Sequence, residues 1–306
     1  MKAYVYNGHG GPEVEALADV PRPEPGPGQL LIAVDAAGVN PADWKRRTGT
    51  MRTPDSPPEH FPLVFGREAA GLVAAVGPGV DGFTVGDAVF GSSDGGGLSE
   101  FALLAAKVSA HRPPGLSATD AATLTVAAAT GYDGIRQLAL PPGATVLING
   151  VGGGVGVAAA QIARHQGLTV VGTASAGKKD FVESLGVTHV EYGPGVADRV
   201  RAAAPQGIDG LYDQVGGQAL EDVAPLLADR SKLVSAGDRG TAARLGGTFV
   251  ARARTPEVLD AVAELVVSGA LNPHVTDTFP LDQAAAALRL VEDGHAQGKV
   301  VIEVVK

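Results

Sequence analysis

The chain has 306 residues, 45% hydrophobic and 19% charged, which is the balance of an ordinary globular protein long enough for two domains. Its formal net charge of −9 argues against nucleic acid or another polyanion as the main partner. The absence of cysteine excludes disulfides, thiolate chemistry, iron–sulfur clusters and cysteine-ligated zinc.

The first part of the chain, up to about residue 112, is poor in helix and contains short apolar runs separated by Gly and Pro. Residues 1–6, 30–37, 71–76, 87–90 and 100–104 are predicted strands. Their spacing predicts a small β-barrel or sandwich. Residues 1–6 are typical of an opening strand and not of a signal peptide, and no apolar run is long enough to span a membrane. We therefore expect a cytoplasmic protein with no membrane contact.

From residue 116 the pattern changes to alternating strands and helices. An Ala-rich helical segment begins with Ser117 as its N-cap and continues to residue 138. Six buried strands are then predicted at 144–149, 168–173, 187–192, 208–213, 232–236 and 247–251, with helices at 179–185, 196–204 and 218–227 between them. This alternation predicts a doubly wound parallel sheet. Two further helices, 256–268 and 281–292, precede a closing strand at 299–305.

A glycine-rich turn joins the first of these six strands to an apolar helix. In the G-x-G-x-x-G frame of dinucleotide folds, Gly153 and Gly156 take the second and third places, while Val151 stands where the first glycine is expected. Helix amides at such a turn face a pyrophosphate, and the missing side chains let the backbone approach it. The turn predicts a dinucleotide site that includes Gly153, Val155 and Gly156. The alternative is an ordinary mobile loop between two elements.

The end of the second strand indicates which dinucleotide binds. An Asp or Glu at this place accepts a hydrogen bond from the 2′-hydroxyl of NAD, but none occurs between Val170 and Lys179. Beyond Thr173, the segment offers Ser175, Lys178 and Lys179, whose hydroxyl and ammonium groups suit the 2′-phosphate of NADP. The alternative is that the lysines are solvated surface residues.

Several short motifs in a fixed order resemble the medium-chain dehydrogenase/reductase superfamily, and within it the zinc-free quinone oxidoreductases close to the zeta-crystallin-like NADPH reductases. They occur at residues 37–44, 66–71, 85–89, 130–132, 213–217 and 294–301. The resemblance implies an α/β protein with a GroES-like β-rich barrel domain, formed by residues 1–115 and 256–306. It also implies a doubly wound six-stranded Rossmann domain at 116–255 that binds NADPH.

The resemblance also bears on metal binding. Where the zinc-dependent relatives have a cysteine ligand and a histidine ligand, this chain has Asn40 and Arg67. No pair of its seven histidines has ligand spacing, so we expect no metal site. Without a Lewis acid, the expected substrate is a small molecule that accepts hydride readily, namely a quinone or an α,β-unsaturated ketone.

Four residues are implied around the substrate. Asn40 matches a pocket asparagine whose amide donates to the substrate carbonyl, and Thr130 matches a threonine beside the nicotinamide at the junction of the domains. The alternatives are an Asn-Pro turn residue for Asn40 and a helix threonine bonded to the preceding turn for Thr130. Trp44 and Tyr132 can wall the cleft, although core packing is the simpler explanation for both.

The implied cofactor contacts lie at the carboxyl ends of the strands, where ligands bind in such sheets. The first group holds the pyrophosphate, the next meets the 2′-phosphate and adenine, and the remainder passes along the nicotinamide ribose to the carboxamide. In chain order they are Gly153, Val155, Gly156, Thr173, Ser175, Lys178, Tyr192, Val215, Gly216, Gly217, Ser235, Gly237, Phe249, Val250 and Ala251.

Two other functions are also consistent with the sequence, and one mode of assembly is predicted. The chain suits a stand-alone enoyl reductase acting on carrier-bound acyl chains, for which Lys45, Arg46 and Arg47 are the candidate basic patch. It also suits a non-catalytic NADPH-binding protein. The apolar sixth strand, at the edge of the sheet, predicts a homodimer paired antiparallel near Phe249.

Overall fold

Two compact units divide the chain in the computed structural model, which describes residues 1–93, 95–294 and 296–304. The first unit comprises residues 1–126, residues 254–263 and the chain from 275 onwards. The second comprises residues 127–253 and 264–274.

The described residues form fifteen strands and ten α-helices. The strands are β1 Lys2–Tyr6, β2 Glu15–Asp19, β3 Gln29–Val39, β4 Leu63–Val64, β5 Glu68–Val76, β6 Ala88–Ser93, β7 Phe101–His111, β8 Thr145–Asn149, β9 Thr169–Ala174, β10 Thr188–Glu191, β11 Gly210–Asp213, β12 Leu233–Ser235, β13 Thr248–Phe249, β14 Val275–Pro280 and β15 Lys299–Glu303. The helices are α1 Pro41–Arg47, α2 Ala118–Ala121, α3 Ala129–Leu138, α4 Gly154–His165, α5 Lys179–Ser184, α6 Val196–Ala203, α7 Gly217–Val223, α8 Arg239–Arg244, α9 Pro256–Val267 and α10 Ala284–Glu292.

The first unit is built on two sheets. One has the order β2-β1-β4, and the other has the order β14-β15-β3-β5-β6-β7. Because β7 also pairs antiparallel with β3, the strands β3, β5, β6 and β7 close into a small barrel. Side chains such as Leu30, Ile32, Val34 and Leu104 alternate into its core and are fully buried. The predicted barrel is confirmed.

The second unit is one parallel sheet of order β10-β9-β8-β11-β12-β13, with helices between successive strands. The order reverses next to β8, which places the topological switch point at the carboxyl end of that strand. Apolar residues from β8, β9 and β11, including Leu147, Val171 and Leu211, form the core with α6 and α7. The predicted doubly wound sheet of six strands is confirmed.

Several elements differ from those predicted from the sequence, either in their bounds or in their presence. The helix predicted from Ser117 to residue 138 divides into α2, a π-helical turn at Leu124–Ala128, and α3. Ser117 does cap α2, because its hydroxyl accepts from the Asp120 amide at 2.9 Å. The predicted sixth strand shrinks to the two residues of β13, and β2, β14, α1 and α8 were not predicted. Of the predicted closing strand, Val305 lies outside the described residues.

The compact units divide the chain later than the predicted domain boundary after residue 115. The Val126 amide donates to Glu68 Oε2 at 2.7 Å, and the Thr119 hydroxyl donates to Glu303 at 2.9 Å, so residues 116–126 belong with the first unit. Residues 264–274 instead join the second unit, where the Gln161 side chain donates to the Asn272 carbonyl and accepts from the Asn272 backbone amide.

Among the described residues, no helix is both long and apolar enough to cross a membrane.

Candidate functional site

The glycine turn after β8 lies at the switch point of the second unit. Gly150 has a φ of 89°, so it supplies the left-handed conformation that the turn needs, and Val151 does not have to. The Val151 side chain is instead fully buried, and a Cβ on Gly172 of β9 would lie 2.5 Å from its Cγ1. This packing explains why valine stands at the first position of the glycine frame.

The start of α4 has the features of an anion site. Its N-cap, Gly153, is exposed and has no side-chain cap, so the first amides of the helix have no side chain bonded to them. A Cβ on Gly156 would lie 2.4 Å from the Gly150 carbonyl oxygen, so only glycine lets the helix pack this closely on the turn. Val155, between them, is half-buried. The geometry suits a pyrophosphate.

Lys178 crosses this turn. Its ammonium lies 3.5 Å from the Gly152 carbonyl oxygen, and a Cβ on Gly152 would meet the Lys178 side chain at 2.8 Å. Burial of the side chain lowers the pKa of Lys178 below its usual value. Ser175 is half-buried at the end of β9, and Tyr192, just beyond β10, is 60% exposed. The structure thus brings these three predicted residues to one edge of the sheet.

A buried polar network ties the carboxyl ends of four neighbouring strands together. Asn149 at the end of β8 donates to Asp213 Oδ1 at 2.8 Å and accepts from the Thr173 hydroxyl of β9 at 2.6 Å. The Ser235 hydroxyl of β12 donates to Asp213 Oδ2 at 2.6 Å. Thr173 and Ser235 were predicted as cofactor contacts, but both are buried and their hydroxyls are used within the protein. Their role here is to fix the strand ends.

The network also orders the loops that follow the strands. Asp213 Oδ1 accepts from the amides of Val215 and Gly216, each at 3.1 Å. Ser235 Oγ accepts from the amide of Gly237 at 3.1 Å. Gly217 begins α7, and its amide donates to Asp238 Oδ2 at 3.2 Å. Hydrogen bonds within the protein therefore fix the backbone of the predicted cofactor-binding loops at this edge of the sheet.

Asn149 and Asp213 were not predicted as site residues from the sequence. Asn149, Asp213 and Ser235 are each the last residue of their strand, and Thr173 is the second-last residue of β9. A polar residue at the same end of four neighbouring strands is a signal that the sequence does contain. Because parallel strands end at one edge, that pattern alone places the four side chains together.

Three buried polar atoms among the described residues of this unit have no hydrogen-bond partner: the Thr130 hydroxyl, Gln214 Nε2 and Arg230 Nη1. Arg230 precedes β12, at the opposite end of that strand from the glycine turn, so only Thr130 and Gln214 bear on the site. The Thr130 carbonyl accepts from the Tyr212 hydroxyl at 2.6 Å, so the backbone of Thr130 is tied to β11 while its hydroxyl is left over. Leaving a buried polar group without a partner is costly, and a ligand at this edge would supply partners for Thr130 and Gln214. With the glycine turn, they make this edge fit a bound dinucleotide.

The end of β13 differs from the expected carboxamide contact. Gln137 of α3 donates to the Phe249 carbonyl at 3.2 Å and accepts from the Ala251 amide at 2.9 Å. The Val250 amide is bonded to the Ser235 carbonyl at 2.9 Å. These three backbone groups therefore already have partners inside the chain, and their contact with a cofactor stays a prediction.

In the first unit, Asn40 is buried in a cluster of charged residues. Its Nδ2 donates to Glu68 Oε1 at 2.8 Å and lies 3.3 Å from the Gly38 carbonyl, while its Oδ1 accepts from Lys299 Nζ at 2.7 Å. Lys299 also donates to Glu68 Oε1 at 3.0 Å. An ammonium can only donate and a carboxylate only accept, so the orientation of the amide is fixed. The predicted donation to a substrate carbonyl would need one of these bonds to be exchanged.

Asp43 and Trp44 follow Asn40 in α1. Asp43 Oδ2 accepts from the backbone N–H of Asn40 at 2.8 Å. Burial raises the pKa of Asp43 to about 6, against the opposing effect of that hydrogen bond. Trp44 is half-buried, and its indole nitrogen has no partner. In the second unit, Tyr132 is half-buried under the Arg136 guanidinium, 5.3 Å from its ring centre.

Two of the three basic residues at the end of α1 lie next to carboxylates. Arg47 is only 1% exposed and pairs with Glu15 and with Glu292, the latter at 2.8 Å. Arg46 lies 3.8 Å from Glu59. The predicted entrance patch for a carrier-bound substrate is therefore wrong for these two arginines, because acidic residues neutralise them locally.

Comparison with known proteins gives consistent matches over the whole chain. Residues 26–114 match the alcohol dehydrogenase GroES-like domain, and residues 185–302 match the family described as zinc-binding dehydrogenase. A chloroplastic quinone-oxidoreductase of Triphysaria versicolor is 30% identical, with 99% of this chain and 98% of that protein covered. A 2-methylene-furan-3-one reductase of Solanum lycopersicum is 33% identical, covering 99% and 79%.

A solved structure agrees with these relatives. The quinone oxidoreductase of Escherichia coli, complexed with NADPH, superposes with a TM-score of 0.87 at 25% identity, covering 99% of this chain and all of that one. The predicted GroES-like and Rossmann fold is confirmed by these matches.

One matched family is described as zinc-binding dehydrogenase, but the residues around Asn40 do not suit a zinc ion. Zinc is bound by thiolate, imidazole or carboxylate, whereas this cluster holds an amide and the ammonium of Lys299 against Glu68. Within the described ranges, no three His, Asp or Glu side chains converge as a metal site. The donor set is that of a charge-balanced hydrogen-bond cluster.

Proposed function

Because this chain belongs to the quinone oxidoreductase family of medium-chain dehydrogenases/reductases and is an oxidoreductase, we propose that it transfers a hydride from NADPH to a quinone or an α,β-unsaturated ketone. Support for the acceptors comes from relatives named as a quinone oxidoreductase and a furanone reductase. Support for NADPH comes from the relative solved with that cofactor.

One observation carries the preference for NADPH. The Lys178 ammonium lies across the glycine turn, 3.5 Å from the Gly152 carbonyl oxygen, at the end of a strand that carries no acidic residue. An acidic residue here would repel a 2′-phosphate, whereas an ammonium attracts it. Ser175 adds a hydroxyl at the same place.

The residues of the second unit would hold the cofactor, which supplies the hydride when bound. The uncapped start of α4 would bind the pyrophosphate, and Lys178 with Ser175 would bind the 2′-phosphate. The loops after β11 and β12, which are ordered by Asp213 and Ser235, would support the rest of the cofactor. The unpaired Thr130 hydroxyl and Gln214 amide would gain partners, which removes the cost of leaving them buried and unbonded.

The acceptor class follows from the chemistry of the cluster around Asn40. A simple ketone develops a full alkoxide charge on reduction, which a metal or a strong acid normally stabilises. A quinone or an enone spreads that charge over an enolate, which one or two hydrogen-bond donors can hold. Since the cluster does not suit zinc, we expect the second class. The proton would come from solvent or from a donor near the substrate.

Turnover tests this proposal directly. Mixing the protein with NADPH and a panel of quinones and enones should give loss of the reduced-nicotinamide absorbance with at least one acceptor. Simple ketones should be inert. Binding of NADPH without turnover of any acceptor would contradict the proposal and favour a non-catalytic NADPH-binding protein.

Cofactor selectivity is tested at Lys178. Lys178→Met should weaken NADPH binding by about 10- to 100-fold, because a charge-assisted hydrogen bond is lost, and should leave NADH binding unchanged. Lys179→Met is the matched control, since Lys179 is exposed and lies 3.9 Å from Glu183. Both constants are measured by calorimetry. Equal losses for the two cofactors would contradict the assignment.

A further inference from the structure

Two arginines share one aromatic ring at the carboxyl edge of the second unit. The guanidinium carbon of Arg239 lies 4.4 Å from the ring centre of Phe249, and that of Arg252 lies 4.9 Å from it. Arg252 also donates to the Ala236 carbonyl, directly after β12, at 3.1 Å. Both side chains are exposed. The ring and the carbonyl therefore hold two cations at the ends of β12 and β13.

Neither arginine forms an ion pair with a carboxylate in the described part of the chain, whereas Arg244 pairs with Glu221 and Arg201 with Asp198. Asp133 is the acidic residue whose charge acts on Arg252. Asp238, next to Arg239, is used as the N-cap of α8 and accepts from the Thr241 amide at 3.0 Å. Burial and the charge of Arg239 lower the pKa of Arg252, against the opposing effects of Tyr212 and Asp133. Two like charges held together favour binding of an anion.

The position of the pair separates it from the cofactor phosphates. Neighbouring strands lie about 4.8 Å apart, so β13 is roughly 14 Å from β8 and roughly 19 Å from β9. The proposed pyrophosphate and 2′-phosphate sites are at the ends of β8 and β9. The pair is only one strand beyond β12, whose end we expect beneath the nicotinamide ribose. An anion bound here would belong to the acceptor.

We propose that Arg239 and Arg252, held by Phe249, bind an oxyanion carried by the acceptor, so that the natural substrate is a quinone or enone bearing a carboxylate or a phosphate. A guanidinium presents paired N–H donors that match the oxygens of either group. The inference rests on the proposed reductase activity and specifies its substrate class.

The test compares acceptors that share one reacting group and differ in charge. Benzoylacrylate and its methyl ester share one double bond, and a 1,4-benzoquinone with a hydroxyethyl side chain and its phosphate ester form the corresponding phosphate pair. The measurement is the ratio of kcat/KM between the charged and the neutral member of each pair. The pair whose ratio falls more in Arg252→Gln identifies carboxylate or phosphate as the natural group.

Arg252→Gln should lower that ratio about tenfold by raising KM for the charged member, and leave the neutral member unchanged. Arg239→Gln should do the same. Arg136→Gln is the matched control, because Arg136 is also exposed and stacks on a ring, Tyr132, in the same unit. Its ratio should equal that of the wild type. Equal loss for charged and neutral acceptors in Arg252→Gln would overturn the inference.

A binding measurement separates this inference from the proposed function. Benzoylpropanoate, the saturated acid, is titrated by calorimetry into protein saturated with NADP⁺. Binding that Arg252→Gln weakens supports the oxyanion site even if no acceptor is turned over, in which case only the proposed function fails. Turnover of neutral acceptors with no binding of the acid, and no charge preference, overturns the oxyanion site and leaves the reductase activity intact.

Discussion

Lys299, Glu68 and Asn40 form a buried group in which every strong donor and acceptor is used. Lys299 is 4% exposed and Glu68 is fully buried, so the ion pair lies away from water. Gly38 makes room for it, since a Cβ there would lie 2.4 Å from Glu68 Oε1. Burying a charge is costly unless a partner compensates it, so each member depends on the others.

Removing the cation should therefore be severe. Lys299→Met leaves Glu68 uncompensated and should lower the free energy of unfolding by about 3–5 kcal/mol. Lys2→Met is the control, because Lys2 is exposed and its pair with Asp19 should be worth less than about 1 kcal/mol. Urea unfolding measures both. Equal stability of Lys299→Met and the wild type would contradict the account of the cluster.

Asp43 makes stability depend on pH in the opposite sense to most carboxylates. Burial raises its pKa in the folded state from 3.8 to about 6, so the folded protein binds the proton more tightly than the unfolded chain does. The contribution of Asp43 to stability should therefore be greatest below about pH 4, and should fall as the pH rises to about 6.

The variant Asp43→Asn isolates this effect, because the amide oxygen can still accept from the Asn40 backbone. Relative to the variant, the wild type should lose up to about 3 kcal/mol between pH 4 and pH 7. Denaturant unfolding at several pH values measures the difference. A difference that does not change with pH, or that changes in favour of the wild type, would show that the folded-state pKa is not raised.

At the scale of elements, Asp213 joins β8, β11 and β12 at the edge that forms the site. Its carboxylate accepts from Asn149, from Ser235 and from two backbone amides. The loops after these strands are short and rich in glycine, so the network is what fixes them. Gly216, for example, has a φ of 82°, and a Cβ on it would lie 2.3 Å from that of Asp238.

Asp213→Ala should cost about 3–5 kcal/mol of unfolding free energy, because several buried donors lose their acceptor at once. It should also weaken NADPH binding, since the loops lose their order. Asp222→Ala is the control, because Asp222 is exposed and accepts from Gln218 in the same helix, at 2.7 Å. Thermal unfolding and calorimetry measure both effects. Wild-type cofactor affinity in a folded Asp213→Ala protein would contradict the proposed role.

Some strands could be predicted from the sequence and others could not. Runs such as Thr145–Asn149 and Thr169–Ala174 are apolar and β-branched, so their strands were predictable from composition alone. β14 was not predicted, because its residues alternate between half-buried and exposed and its sequence has only weak apolar periodicity. The site was harder still. Thr173 and Ser235 were predicted by position, but their hydrogen-bond partners lie 24 and 22 residues away and became visible only in three dimensions.

At the scale of the whole molecule, the proposed homodimer meets an obstacle at β13. This strand is only two residues long, and Gln137 already bonds the Phe249 carbonyl and the Ala251 amide. Short strands and covering groups are common ways of protecting a sheet edge from pairing. A second copy that pairs here must displace the Gln137 side chain.

Removing that side chain should favour association through this edge. Gln137→Ala should tighten the dimer by about tenfold, because two backbone groups lose their internal partner and become available. Gln161→Ala is matched, since Gln161 makes the same two-way bond with Asn272 away from the edge. Sedimentation equilibrium gives the dissociation constants. An unchanged or weaker dimer in Gln137→Ala would place the interface elsewhere.

The long strand β3 is enclosed along its whole length. Its first half pairs with β7 on one side and β5 on the other, and its second half lies between β5 and β15. No partial fraying of the barrel frees both of its edges at once. Its backbone amides should therefore exchange hydrogen for deuterium more slowly than any others in the first unit, at the rate set by complete unfolding of that unit.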